Sequence, residues 1–297
     1  MNKEALTALV AEILSQMEPQ VKASEYKATE PQPSKVYPET HPGEFLPDIT
    51  QLDLRKLYLT ENPVDGESFS RMKEKTPARL GMGRCGARYK TLTMLRFRAD
   101  HAAAQDAVFS EVDTEFAKKY DLLPTKTKCN NKEEYLTRPD LGRCFDEHNT
   151  KAIKGVVDTP PVVQIVIGDG LSSAAIEANA MDCVYALKDG LKARNISTGK
   201  DIFVKYCRVG AGDAIGDITG CQLVCVLVGE RPGLATDKSM SIYITYHPHT
   251  GVSESSRTVI SNIHSLGTPA VEAGAYASEL IEKILQRKVS GVGLHLE

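Results

Sequence analysis

Nowhere does this 297-residue sequence hold an unbroken apolar run approaching the roughly 18 residues a membrane-spanning helix requires. The amino terminus lacks the basic start of a secretory peptide. Positive charge is not in excess either. Thirty-six Lys and Arg against 39 Asp and Glu leave a formal net charge of −3, which argues against general affinity for nucleic acid or anionic membranes. The basic cluster Arg79, Arg84, Arg88, Lys90, Arg96 and Arg98 is interleaved with little aromatic beyond Tyr89 and Phe97, so it reads as an interface or anion-facing surface. The seven cysteines are odd in number and scattered, which is not a disulfide framework. Cys221 and Cys225 share the apolar run CQLVCVLV; four residues along a strand cover about 13 Å, too far for a disulfide. Ser-His-Asp order, a nucleophile elbow, a P-loop and zincin spacing are all missing. These absences predict a soluble chain with reduced thiols in a cytoplasmic setting.

What is present is enough apolar residue, 41%, to build a core. Residues 1–20 place Leu6, Leu9, Val10, Ile13, Leu14 and Met17 on one helix face, predicting an amphipathic helix that docks on something. Residues 21–52, rich in Pro, Lys, Glu and Thr, read as a flexible tether. Residues 53–159 read as a mainly helical domain: LDLRKLYLTEN, ESFSRMKEKT, TLTMLRFRADHAAAQDAVFSEV and Asp140 to Lys154. From 160 to 297, buried apolar runs end in glycine-rich turns and alternate with helices. That pattern predicts an α/β sheet covered on both faces.

Three turns in that second half could carry chemistry. Gly168-Asp169-Gly170-Leu171-Ser172-Ser173 sits between a strand and a helix, where a dinucleotide fingerprint would sit. Ser173 replaces its third glycine, and no acid ends the next strand, so a dinucleotide site is disfavoured. A tight turn capped by Ser172 or Ser173 is the simpler reading. In Leu227-Val228-Gly229-Glu230-Arg231-Pro232-Gly233 an apolar strand runs into a Glu-Arg pair bracketed by glycines, a carboxylate beside bare backbone that suits a ligand presenting amide N–H groups. Arg257 and Asn262 flank the alternating run of RTVISNIH. His247 and His249 are split by Pro248 with no third ligand nearby, so no metal site is expected.

Taken in order, TPARLGMGRCGARYKTLTMLRFRADHAAAQDAV, YLTRPDLGR, QIVIGDGLSSAAI, LVGERPGL, RTVISNIH and GTPAVEAGA resemble the small subunit of ethanolamine ammonia-lyase. The resemblance runs from about Asn62 to Gly291. It implies a helical domain followed by a Rossmann-like α/β domain that binds cobalamin. It implies adenosylcobalamin radical chemistry converting ethanolamine to acetaldehyde and ammonia. A larger partner subunit would hold the substrate, in a hetero-oligomer inside a bacterial microcompartment. The amino-terminal helix could then touch the shell. The cofactor contacts implied on this chain are Val209, Glu230 and Val259, the last standing where relatives have cysteine. No catalytic residue and no metal ligand is implied here, since the corrin holds the cobalt. The stretch Asp146-Glu147-His148 begins a D-x-H-x-x-G sequence but has Lys151 in place of its glycine, so the cofactor is expected to keep its own benzimidazole as lower ligand. The competing readings are a dinucleotide-binding oxidoreductase domain and a non-enzymatic microcompartment assembly protein.

Overall fold

The computed structural model describes residues 48–295. The helix expected over 1–20, and the tether over 21–52 apart from its last residues, lie outside them.

Two fully buried strands form the centre of a six-stranded sheet, β4 (Val163–Asp169) and β6 (Leu223–Gly229). Every residue of both is buried, as expected for parallel strands covered on both faces. Outward from β4 lie β5 (Ile202–Lys205) and β3 (Leu123–Lys126), all parallel. Outward from β6 lie β7 (Met240–Tyr246) and β8 (Arg257–Ile263), both pairing antiparallel. The order is β3-β5-β4-β6-β7-β8, and a separate hairpin joins β1 (Arg84–Cys85) to β2 (Arg88–Tyr89). The architecture is mixed α/β.

Among the described residues, eight helices accompany the strands. On one face pack α6 (Ser173–Ala193) and α8 (Ala270–Arg287). Ile176, Ala180, Cys183, Val184, Leu187 and Leu191 recur on one side of α6 and are wholly buried in the larger core, the helical spacing that makes one stripe apolar. On the other face sit α5 (Glu147–Gly155) and α7 (Ala211–Thr219), whose Ile153, Ala211 and Ile215 build a second core against Val224 and Val226. The rest, α1 (Gly66–Lys73), α2 (Thr91–Phe109), α3 (Phe116–Lys119) and α4 (Lys132–Thr137), precede the sheet's central strands in sequence.

The segment expected to be mainly helical differs in three places. LDLRKLYLTEN forms no regular helix: the Asp53 side chain accepts from the Arg55 N–H at 3.0 Å, and Asn62 adopts φ 49° just before Pro63. A short polar side chain that bonds nearby backbone offers an alternative to the helix. Asp140 to Lys154 breaks into a 3₁₀ turn at Leu141–Arg143 and then α5, because Asp146 starts a new helix by capping the Asn149 N–H at 2.8 Å. Finally, β3 belongs to the sheet despite Pro124, which an edge strand tolerates. In the second half α7 is helical despite its glycines. Gly212 lies where a Cβ would press Val226, and Gly216 where one would collide with the Pro248 carbonyl. Those glycines let the helix approach the sheet and a neighbouring turn.

Candidate functional site at the carboxyl edge of the sheet

The chain leaves β4 for α6 on one face and leaves β5 for α7 on the other, so the carboxyl ends of β4, β5 and β6 diverge around a crevice. Open α/β sheets bind ligands at such a point. A cleft of about 270 Å³ lies there, lined by Leu171 after β4, by Cys207, Arg208 and Val209 after β5, and by Val228 to Arg231 at the end of β6. Tyr135 closes it from α4, and Ser241, Tyr243 and Ser261 from the antiparallel strands. A second cleft of about 560 Å³ opens between that rim and the end of α1, with Lys75, Leu234 and His264 in its wall. Glu230 and Arg231 line both clefts. The Gly-Glu-Arg-Pro turn is therefore the divide between them.

Glu230 is held by three donors. Ser239 Oγ donates to Oε2 at 2.6 Å, Ser241 Oγ to Oε1 at 2.5 Å, and the Asn262 N–H to Oε1 at 2.9 Å. Burial works to raise its pKa, but these hydrogen bonds, with the nearby His264, outweigh it and hold the carboxyl below its usual value. A carboxylate has about four lone-pair sites; three are filled, and the remaining one is on Oε2. The Asn262 donor exists because of a bulge: Met240 pairs with Ile263 and Ile242 with Ile260, so Ser241 faces two residues, Ser261 and Asn262. Asn262 takes φ 58° there. Bulges commonly re-aim groups beside sites. Gly229 is required for the turn, because a Cβ would strike the Ser172 carbonyl.

Beneath the crevice is a buried polar floor. Asp169, at the end of β4, accepts from Ser173 Oγ at 2.6 Å and from the Val112 N–H at 3.1 Å. Burial pushes its pKa up despite these bonds and the nearby Lys132. Lys132 Nζ donates to the carbonyls of Gly170 at 2.8 Å and Ser110 at 3.1 Å, and burial pushes its pKa down. Ser172, the expected cap of α6, accepts from the Ala175 N–H at 3.1 Å.

Of the residues implied by resemblance, Val209 and Glu230 meet in the smaller cleft. The Val209 N–H has no backbone partner among the described residues. Val259 is third in the edge strand β8, opposite Tyr243 and 46% exposed. Strand alternation puts it on the same face as Ser261, but it is not among the residues lining either cleft. Ser239 and Ser241 escaped notice in sequence although their i, i+2 spacing at the start of a strand was visible. Tyr135 gave no signal, because its role depends on where α4 docks. Elsewhere, Asp146 is a helix cap and His148 lies exposed on the first turn of α5. Half of the basic cluster is ion-paired within the chain: Arg79 and Arg96 both pair with Asp100, at 2.6 and 2.9 Å, and Lys90 with Glu61 at 2.7 Å. All seven cysteines are free. Among the described residues no group of His, Cys, Asp or Glu gathers to hold a metal, and no helix is long and apolar enough to cross a membrane.

Fold and site together define a mixed α/β protein with a crevice at the carboxyl ends of its parallel strands. A sequence model described as Ethanolamine ammonia-lyase light chain (EutC) matches residues 66–295, and the chain belongs to that family. It is 54% identical over 294 residues to the ethanolamine ammonia-lyase small subunit of Clostridium perfringens, and 52% identical to that of Clostridioides difficile. Each match covers 99% of this chain and all of the relative. The small subunit of Lachnoclostridium phytofermentans is 56% identical over 85% of both chains.

Proposed function

We propose that this chain is the small subunit of an ethanolamine ammonia-lyase, and that its crevice forms one wall of an adenosylcobalamin site. Glu230 carries the reading: a carboxylate fixed by three internal donors, with one acceptor position left at the mouth of a cleft bounded by bare backbone. Cobalamin's rim is set with carboxamides, so an unused acceptor at Glu230 and an unused donor at the Val209 N–H fit its chemistry. Val259 adds apolar wall from β8, the edge strand of the sheet. Clefts of this size suit part of a corrinoid rather than the whole. The larger partner subunit then completes the enclosure and holds the substrate. When bound, the cofactor supplies radical chemistry through its cobalt–carbon bond; this chain's residues bind it, orient it and keep water from one of its faces.

Residues 160–297 act as a Rossmann-like cobalamin-binding domain, to which the preceding helical domain lends β3. The exposed apolar side of α2 is the surface that meets the larger subunit. The cofactor keeps its own benzimidazole below the cobalt, and the assembly sits in a bacterial microcompartment, with the amino-terminal segment reaching the shell.

The test is Glu230→Gln, which keeps size and most internal bonds but turns an amide N–H toward the ligand's own. In enzyme assembled with its larger subunit, equilibrium dialysis should show cobalamin affinity lowered by about ten- to a hundredfold. Wild-type affinity would remove Glu230 from the cofactor wall.

A further inference from the structure

Arg208 enters the same cleft from the opposite wall and is fixed within the chain itself. Its backbone N–H donates to the Gly142 carbonyl at 2.9 Å. Its guanidinium lies over the Tyr135 ring, 4.3 Å from the centroid, and Nη2 donates to the Tyr135 carbonyl at 2.8 Å. Gly142 is needed for this, since a Cβ would come 2.7 Å from Arg208 Cγ. Tyr135 is itself wholly buried and donates through Oη to the Cys207 carbonyl at 3.2 Å. The arginine is thus packed on a rigid platform.

Its hydrogen-bonding capacity is nevertheless mostly unspent. A guanidinium carries five N–H donors; here one has an acceptor among the described residues, and Nε is buried with none. Buried donors without acceptors are rare in folded chains and call for a partner. Arg208 forms no ion pair with Glu230, although both line the cleft. One wall therefore offers an anchored anion with an acceptor to spare, the other an anchored cation with donors to spare.

We infer that Arg208 is a second cofactor-reading residue, donating to the carbonyl oxygen of one peripheral carboxamide while Glu230 accepts from the N–H of another. The inference rests on the cobalamin reading above. A carboxamide has a donor end and an acceptor end, so opposed walls of opposite charge set the rotation of the ring in the cleft. Arginine suits this better than lysine because its planar fork stacks on Tyr135 and presents donors in fixed directions.

The experiment uses the assembled two-subunit enzyme and equilibrium dialysis with adenosylcobalamin and its monocarboxylate derivatives, in each of which one peripheral amide is hydrolysed. Arg208→Gln should weaken binding of the parent cofactor by about ten- to a hundredfold, and Arg208→Lys by less. The wild type should favour the one derivative whose carboxylate faces Arg208, and Arg208→Gln should lose that preference. If Arg208→Gln does not assemble, Arg208→Lys must already show the altered preference. Unchanged binding, or equal weakening toward the parent and every derivative, overturns the assignment, since a purely structural residue would not discriminate among isomers. Should Glu230→Gln lose affinity while Arg208→Gln does not, Arg208 alone is misassigned; should neither matter, the cofactor wall lies elsewhere.

Discussion

Arg257 is the residue whose environment is most demanding outside the crevice. It is almost fully buried and meets Asp213 through two bonds of 2.8 Å, with Glu254 at 2.6 Å and Thr245 at 3.2 Å. The hydrogen bonds from Arg257 to Asp213 and Glu254 outweigh burial and raise its pKa, so it stays charged. The pair clamps β8 onto α7. Removing one partner strands the other as a buried charge, so Arg257→Ala should cost about 3–5 kcal/mol, read as a lower urea midpoint at unchanged slope. Replacing both, Arg257→Met with Asp213→Leu, should recover most of that loss. A double variant as unstable as the single one would mean that the clamp is not simply an ion pair. In sequence Arg257 was visible only as a polar flank of an apolar run, because its partner lies 44 residues away.

The β7–β8 bulge is the element that brings a backbone donor to Glu230 at the sheet edge. It rephases β8: Ile260 and Ile263, three residues apart, both enter the larger core, while Asn262 turns its N–H to Glu230. Asparagine tolerates the left-handed conformation and glycine prefers it, whereas a β-branched side chain is penalised by about 1–2 kcal/mol. Asn262→Gly should therefore leave both stability and cofactor affinity near wild type. Asn262→Val should lower both, as measured by thermal unfolding and by cobalamin binding to the assembled enzyme. Equal behaviour of the two variants would show that the bulge does not depend on this residue. The strand itself was legible from its alternation. The bulge was not, because register is decided by which residues of β7 it meets.

At the scale of the whole molecule, the segment before the central strands is fastened to the crevice from below and left bare outside. Below, Asp169 accepts from the Val112 N–H, and its folded pKa is raised above the reference of 3.8 by burial. A raised carboxyl contributes stability that is fully present below 3.8 and is lost as pH rises through the folded value. Asp169→Asn should therefore gain stability relative to wild type as pH climbs through that window, in paired thermal melts. A difference that does not vary with pH would contradict the burial argument. Outside, α2 buries only Thr93 and Ala107, while Leu95 is 51% and Phe109 64% exposed. Those exposed apolar side chains are where the proposed larger subunit would dock. Leu95→Glu with Phe109→Glu should leave this chain's own stability within about 0.5 kcal/mol yet reduce recovery of the two-subunit complex by size exclusion. Undiminished recovery would place the partner elsewhere.

Local chemistry alone determined much of this protein. Continuous apolar runs could only be buried strands, the apolar stripes of α6 and α8 could only face a sheet, and Ser172 sat where a helix needs a cap. The Gly-Glu-Arg-Pro turn announced itself because a strand that apolar seldom ends in a carboxylate beside bare backbone. Tertiary structure alone decided that β3 joins the sheet, that LDLRKLYLTEN stays irregular, that Tyr135, Arg208 and Ser241 line the crevice with Glu230, and that Ser239 holds Glu230 from the neighbouring cleft. Periodicity and capping act over a few residues and can be read along the chain. The donors and acceptors around this crevice lie from 9 to 73 residues apart in sequence, and only packing brings them within hydrogen-bonding reach.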